Sequence, residues 1–412
     1  MDSTTRDYVV LIISGTFTML TGGMVHPIFA PFVRMEFTAP LLIVGLAVSG
    51  YYLVRMFCEF PIGALSDRMG PRTPLIIGRV MATIGAVTCY KATEVWQLII
   101  ARALWGVGDA SFYTISMAYV ASLFLTERRG RALGLFIAVE MVGGFIGQAT
   151  GGFIASAFGI RMSFPISAVL CAISLVAVVM LRGETQRSNR NHAKRSPMFS
   201  TQVFLMVLNR PVIVACLINF TDMAISTGVI STILPLYVTE ELKIPLTEYG
   251  LVVAASTVGS VSGNFLGGLL SDKVGRKKSL AFGLVTGTVA TFILPVANAF
   301  LQFIPVMFAK GFSYGITYGT TPALVADSVP DNARGMGVGA FRTFFDLGGL
   351  VGPIAISSVV EYVGRPQGYA AAFHMGSGLL FLSFLVVLQL KSVGAPAGAF
   401  HATTSKRRSE RT

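Results

Sequence analysis

Apolar residues fall in twelve long runs separated by short polar turns, near residues 8–33, 42–65, 75–92, 95–124, 132–158, 162–181, 211–238, 247–270, 279–298, 299–326, 335–360 and 369–391. Most runs hold about 18 to 27 residues, and about 20 residues of helix cross the hydrocarbon core of a bilayer. The pattern predicts an all-α membrane protein of twelve transmembrane helices. Runs 9 and 10 adjoin, and only Ala297-Asn298-Ala299 marks a turn between them.

The longest polar segment, residues 182–197, carries Arg182, Arg187, Arg190, Lys194 and Arg195 and divides six runs from six. It predicts a six-helix bundle over 1–182, a cytoplasmic linker over 183–210, a second bundle over 211–391 and a basic cytoplasmic tail over 392–412. Within the linker, Met198, Phe199, Val203, Phe204 and Val207 recur at roughly helical spacing, which suits a short helix lying on the membrane surface.

The two halves repeat. Gly63-Ala64-Leu65-Ser66-Asp67-Arg68-Met69-Gly70 matches Gly268-Leu269-Leu270-Ser271-Asp272-Lys273-Val274-Gly275 at an offset of 205 residues. At the same offset Arg129-Gly130 matches Arg334-Gly335, and Gly143-Gly144-Phe145-Ile146-Gly147 matches Gly348-Gly349-Leu350-Val351-Gly352. Six helices per half return corresponding elements to the same membrane side. The halves are therefore expected to be pseudo-symmetric bundles related by an axis along the membrane normal.

Composition supports this reading. Of 412 residues, 53% are apolar and 13% charged, against about a quarter charged in soluble proteins. The net charge of +12 raises nucleic acid as a partner, but its distribution argues for topology. With both termini placed inside, 22 of the 32 Lys and Arg lie on the cytoplasmic side. Five lie outside (Arg34, Lys91, Arg161, Lys243, Arg365) and five within helices (Arg55, Arg79, Arg102, Lys310, Arg342). That bias is the positive-inside rule. The expected location is the plasma membrane, with the bilayer as partner, no nucleic acid, and a functional monomer. Run 1 is too long for a signal-peptide core, so it is expected to act as an uncleaved anchor. Cys58, Cys89, Cys171 and Cys216 all sit in apolar runs, and the four His are scattered, so neither a disulfide framework nor a metal site is expected.

With its repeated loop, the chain resembles the major facilitator superfamily over nearly its whole length. The loop after run 2 is similar to that family's motif Gly-x-Leu-Ala-Asp-Arg-x-Gly-Arg-Lys. Here it reads Gly63, Asp67, Arg68, Gly70 and Arg72, with Pro71 where an Arg is expected. The second copy, Gly268, Asp272, Lys273, Gly275 and Arg276, is fuller. Gly70 and Gly275 suit a tight turn, and an Asp here can face the positive end of a neighbouring helix. The resemblance implies Asp67 near Arg334 and Asp272 near Arg131. It is greatest to twelve-helix drug–proton antiporters, although run 5 has Gly147-Gln148 where those exporters carry Gly-Pro, and Gly352-Pro353 appears in run 11 instead.

No Gly-x4-Gly-Lys-Ser/Thr loop occurs, so an ion gradient is the expected energy source and no cofactor is needed. No arrangement of nucleophile, base and orienting group stands out, so the chain is not expected to be an enzyme.

Ionisable groups inside membrane helices are costly and become candidates for function. In run 4, Arg102 and Asp109 are seven apart, on one helical face. The resemblance implies that runs 1, 4, 7 and 10 surround a central cavity, which brings in His26, Asp222 and Lys310. Asp109 and Asp222 are the candidates for binding a proton or substrate. His26, beside Pro27, serves equally as a packed imidazole. Arg79, Glu140 and His374 read as lying nearer helix ends, where snorkelling or local pairing accounts for them about as well as a functional role does.

Run 2 carries Arg55 and Glu59, and run 11 carries Arg342 and Asp346, each pair four apart. Both pairs can close within their own helices. Their depths also match: Glu59 and Arg342 lie about 10 Å from the same membrane face, Arg55 and Asp346 about 16 Å. The resemblance implies that runs 2 and 11 pack together, which would pair Glu59 with Arg342 and Arg55 with Asp346 as a cytoplasmic gate.

The expected function is secondary active transport by alternating access, as proton-coupled efflux of small amphipathic molecules. The alternatives are proton-coupled uptake or exchange of an organic anion or other metabolite, which Arg102 and Lys310 would favour, and a non-transporting membrane sensor.

Overall fold

The computed structural model describes residues 3–182, 209–330 and 334–390. The surface helix expected in the linker and the basic tail fall outside the described residues. Among those described, every regular element is helical: α1 (Ser3–Val25), α2 (Phe29–Phe37), α3 (Leu41–Met69), α4 (Arg72–Lys91), α5 (Val95–Leu123), α6 (Thr126–Phe158), α7 (Ser163–Val179), α8 (Arg210–Ile225), α9 (Leu246–Val274), α10 (Arg276–Ile293), α11 (Phe300–Ser328), α12 (Arg334–Val363) and α13 (Gln367–Leu388).

Each apolar run is one crossing of a twelve-helix, two-bundle membrane protein. Run 1 is broken at His26-Pro27-Ile28, between α1 and α2, because Pro27 can supply no amide proton to continue the ladder. Run 7 begins as α8 and loosens into π-helical turns over Ser226–Ile233 and Tyr237–Glu241, on either side of Pro235. Runs 9 and 10 part at 297–299, as the sequence predicts.

The repeat is visible in the helix limits. Adding 205 to α3 gives the limits of α9, and adding it to α5 gives those of α11. Two turns repeat as well. Gly70 and Gly275 have φ of 82° and 92°, and Gly159 and Gly364 have 90° and 82°. Side chains other than glycine rarely adopt that backbone, so all four turns depend on the missing Cβ.

Ten spans are long and apolar enough to cross a membrane by composition; α5 and α11 are not among them. Their lower hydropathy has a structural cause. They carry Gly, Ser, Thr and Tyr toward protein neighbours, with Gly106, Gly108, Ser111 and Ser116 buried in α5 and Gly311, Ser313, Gly315 and Thr317 buried in α11. Small residues allow backbones to approach closely where lipid offers no hydrophobic drive between helices. On the outside, Phe57, Phe153, Phe265 and Leu382 are exposed, as a surface that meets lipid tails requires.

The halves meet along α3 against α12 and α6 against α9. The turns at Gly70 and Gly275 define one end of the bundle, called here the motif end.

Candidate functional site: a buried polar axis between the halves

Two sets of inter-half ion pairs flank a central cavity. Toward the motif end, Arg342 of α12 donates to both oxygens of Glu59 of α3, at 2.9 and 2.6 Å. Deeper in, the Arg55 Nε lies 3.2 Å from Asp346 Oδ1. That contact is poorly aligned for a hydrogen bond, and both atoms are otherwise without one. Arg55 also reaches Glu59 at 3.2 Å within α3. The quartet therefore combines crossing pairs with one intrahelical pair, and Arg55 lies within 6.0 Å of four aromatic rings, those of Tyr51, Tyr52, Tyr113 and Phe345.

At the opposite end, Glu240 of the second half accepts from Arg34 of α2 at 3.1 Å and also from Arg365. The Leu42 amide donates to Glu361 at 2.8 Å, and Thr247 bonds Ser156 at 2.8 Å. Each of these last two also joins one half to the other.

Between the two sets lies a cavity of about 210 Å³, walled by His26, Gln148, Ser226, Ser256, Lys310 and Tyr314 among others. Gln148 of α6 accepts a hydrogen bond from Thr257 of α9, which ties the walls together across the halves. Lys310 Nζ lies 4.0 Å from Asp222 Oδ1, with both side chains almost wholly buried, and 5.9 Å from the Tyr314 ring.

Runs 1, 7 and 10 line this cavity as expected, but runs 5 and 8 replace run 4. Arg102 and Asp109 of α5 are not among its walls. Tyr51 connects them instead: its ring lies 4.5 Å from the Arg102 guanidinium, and its hydroxyl donates to Asp109 at 2.8 Å. Arg102 is further enclosed by Phe29 and Trp105, at 4.7 and 5.8 Å.

Three expectations are corrected. Arg79 does not snorkel. It is 0% exposed and bonds Asp109 at 3.0 Å, Thr18 at 2.8 Å and the Gly108 carbonyl. Gly78 makes this possible, since a Cβ there would collide with Ser111 on α5. Glu140 is not near a helix end either; it lies at 4% exposure near the middle of α6. Asp272 meets Arg276, one helical turn ahead across Gly275, at 2.8 Å, and Arg276 in turn holds Asp327 at 3.0 Å. Arg131 is not among its partners. In the first copy of the motif, the side chains of Asp67 and Arg334 lie outside those described, while Arg72 donates to the Val179 carbonyl at 2.7 Å. His374 is exposed and packs at a tilt against Phe292, with ring centres 5.0 Å apart.

Sequence reasoning missed Gln148, Ser226, Ser256, Thr257, Ser260 and Tyr314 as cavity walls. One signal was available. Ser256 and Ser260 share a face of an apolar helix at i, i+4 spacing, beside Thr257.

A sequence profile described as Major Facilitator Superfamily matches residues 11–227 and 217–408. Multidrug resistance protein 2 of Bacillus subtilis is 26% identical over 84% of this chain and 86% of its own length. The multidrug resistance efflux pump PmrA of Streptococcus pneumoniae is 26% identical over 85% of this chain and 88% of its own. Among solved structures, the nucleoside transporter NupG superposes with a TM-score of 0.75 at 12% identity, over 95% of this chain and 100% of its own. A bacterial homolog of the human lysosomal transporter Spinster gives 0.73 at 13% identity, over 94% and 95%.

Proposed function

The chain belongs to the Major Facilitator Superfamily and is a multi-pass membrane transporter, and on that premise we propose that it exports small amphipathic molecules in exchange for protons. One observation carries the reading: a polar cavity is bracketed by two separate sets of inter-half ion pairs, Glu59–Arg342 on one side and Arg34–Glu240 on the other. Breaking one set while keeping the other would expose the cavity to one side only, which is what alternating access requires. The multidrug exporters among its relatives support the direction.

In this cycle both termini are cytoplasmic, as the positive-inside bias supports, and the protein works as a monomer in the plasma membrane. The motif end then faces the cytoplasm, and the Arg55, Glu59, Arg342, Asp346 quartet is the inner gate. Substrate enters against Tyr314 and the hydroxyls of α9. Asp222 is a proton or cation site, because a proton or a cationic substrate would compete there with Lys310. Asp109, held by Arg79 and Tyr51, acts on the cavity indirectly.

Flux in proteoliposomes under an imposed pH gradient tests the proposal, with ethidium and tetracycline as probes and Asp222→Asn beside wild type. Gradient-driven accumulation that drops about tenfold or more in the variant is expected, because the neutral amide can neither carry the proton nor oppose the Lys310 charge. Flux indifferent to the gradient would end the proton-coupled reading.

A second reading has its own support. Arg102 has no carboxylate within ion-pair distance among the described residues and is held by aromatic rings alone. Uptake or exchange of an organic anion would give that guanidinium a partner. Counterflow of a benzoate or phosphate ester that is lost in Arg102→Gln would favour it.

A further inference from the structure

Five acidic side chains are buried among the described residues: Asp7, Asp109, Glu140, Asp222 and Asp346. Four have partners. Asp7 accepts from Tyr119, Asp109 from Arg79 and Tyr51, Asp222 faces Lys310, and Asp346 faces Arg55. Glu140 has neither an ion pair nor a hydrogen bond among the described residues, and its Oε1 is wholly enclosed. It stands 14 residues into the 33-residue α6, about 21 Å along the helix and so near mid-membrane.

The site is shaped for a carboxyl group. Glu140 points at α1, and a Cβ on Gly15 would land on its carboxyl atoms. The missing side chain of Gly15 is the space that the acid occupies. Arg79 of α4 and Tyr113 of α5 are the groups close enough to act on it electrostatically, with Asp109 behind them on Arg79. From α1, Gly15 faces it, while the nearby Thr18 hydroxyl accepts from Arg79. α7 carries no charge, and α9 carries charge only at its ends, at Glu248, Asp272 and Lys273.

We infer that Glu140 is a proton-binding site of the transport cycle, separate from the substrate cavity and placed between it and the motif end. An unpaired carboxylate at this depth has no compensation for lost water. It is tolerated as the neutral acid, or as the anion only if a cation turns to it. Arg79 is the nearby cation, and it is engaged with Asp109. Loss of the proton from Glu140 therefore sets two carboxylates in competition for one guanidinium, which couples proton binding to the α4–α5 packing that holds Asp109. Gln148, eight residues and about 12 Å further along α6, lies in the cavity wall, so the same helix carries both sites. The proton comes from water on one side, forms the carboxyl O–H, and returns to water on the other side.

This inference rests on the proton-coupled reading above, and the experiment separates the two. Purified wild type, Glu140→Gln and Glu140→Asp are compared by infrared difference spectroscopy across a pH series, which needs no ligand. A carboxylic C=O band that titrates in wild type, disappears in Glu140→Gln and returns shifted in Glu140→Asp is the expected result. In proteoliposomes, Glu140→Gln is expected to lose at least tenfold of gradient-driven ethidium or tetracycline flux while keeping probe exchange without a gradient. A packing role alone would not separate those two fluxes. Absence of a titrating band, or one unchanged in Glu140→Gln, overturns the assignment. Gradient-driven flux that survives in Glu140→Gln also overturns it, with the proton-coupled reading intact. Wild-type flux indifferent to the gradient removes that reading itself, and Glu140 as its proton site falls with it.

Discussion

Glu59 holds the Arg342 guanidinium through both carboxylate oxygens across the boundary between the two halves, while Arg55, one turn away on α3, touches both Glu59 and Asp346. If this seam is a gate, cysteines replacing Glu59 and Arg342 should crosslink in one conformation and not in the other. Equal crosslinking in both would leave it a fixed clasp. Arg342→Gln should lower flux several-fold, with partial recovery in the charge-swapped Glu59→Arg/Arg342→Glu protein. The coupling energy from a double-mutant cycle of thermal unfolding should be about 1–2 kcal/mol. Removing one partner of a fully buried pair costs more, but the Arg342 side chain is 41% exposed and solvent screens it.

The Arg79–Asp109 pair should behave differently, because Arg79 is sealed from solvent. Asp109→Asn strands a buried guanidinium and should cost about 3–5 kcal/mol, seen as a large drop in unfolding midpoint in detergent. Asp222→Asn should cost less, since Lys310 sits 4.0 Å away, beyond direct hydrogen bonding. An apolar Arg79→Met/Asp109→Leu protein should regain much of the lost stability, as buried pairs replaced by packed apolar groups often do. If it regains flux too, the pair only holds helices together.

How much of this was legible in the sequence depends on the range of the interaction. The spans and repeat follow from local hydropathy and one offset, so they could be read directly. The depth match of Glu59 with Arg342 and Arg55 with Asp346 needed only helical rise and a neighbour relation. Arg79 was misjudged because its partner lies on another helix, and the close approach of α4 to α5 depends on Gly78 meeting Ser111. Glycine spacing in a membrane helix does not say which neighbour fills it. The cavity escaped for a similar reason. Its walls are mainly hydroxyls and an amide, which hydropathy scarcely distinguishes from packing residues, whereas charged groups stand out. Glu140 could be seen, but that no described residue pairs with it is a property of the surrounding helices.

The glycines of α6 allow a controlled test of helix approach. A Cβ at Gly147 would meet the Leu20 carbonyl on α1, whereas one at Gly134 meets nothing within 4 Å. Gly147→Ala should therefore destabilise by about 1–3 kcal/mol, as overpacking does. Gly134→Ala, in the same helix, should be neutral or stabilising by up to about 1 kcal/mol from helix propensity. Unfolding midpoints of the two purified variants give the comparison, and equal midpoints would mean that α1 and α6 do not need their close contact.

The far end of the bundle should act as the counterpart of the Glu59 seam. Glu240 is shared by Arg34 of the first half and Arg365 of the second, and Tyr369 approaches it at 3.4 Å. Removing its charge in Glu240→Gln frees Arg34 from the second half without disturbing the seam at Arg342. With Cys58, Cys89, Cys171 and Cys216 replaced, Ser231→Cys places one thiol in the cavity wall. A membrane-impermeant maleimide applied from the side opposite the motif end should label it several-fold faster in Glu240→Gln than in the parent. Arg342→Gln should instead speed labelling from the motif end and slow it from the opposite one. That reciprocal shift is expected only if each ion-pair set holds one side closed. Labelling that rises from both sides in either variant would mean that the contacts stabilise the fold and do not select between its open forms.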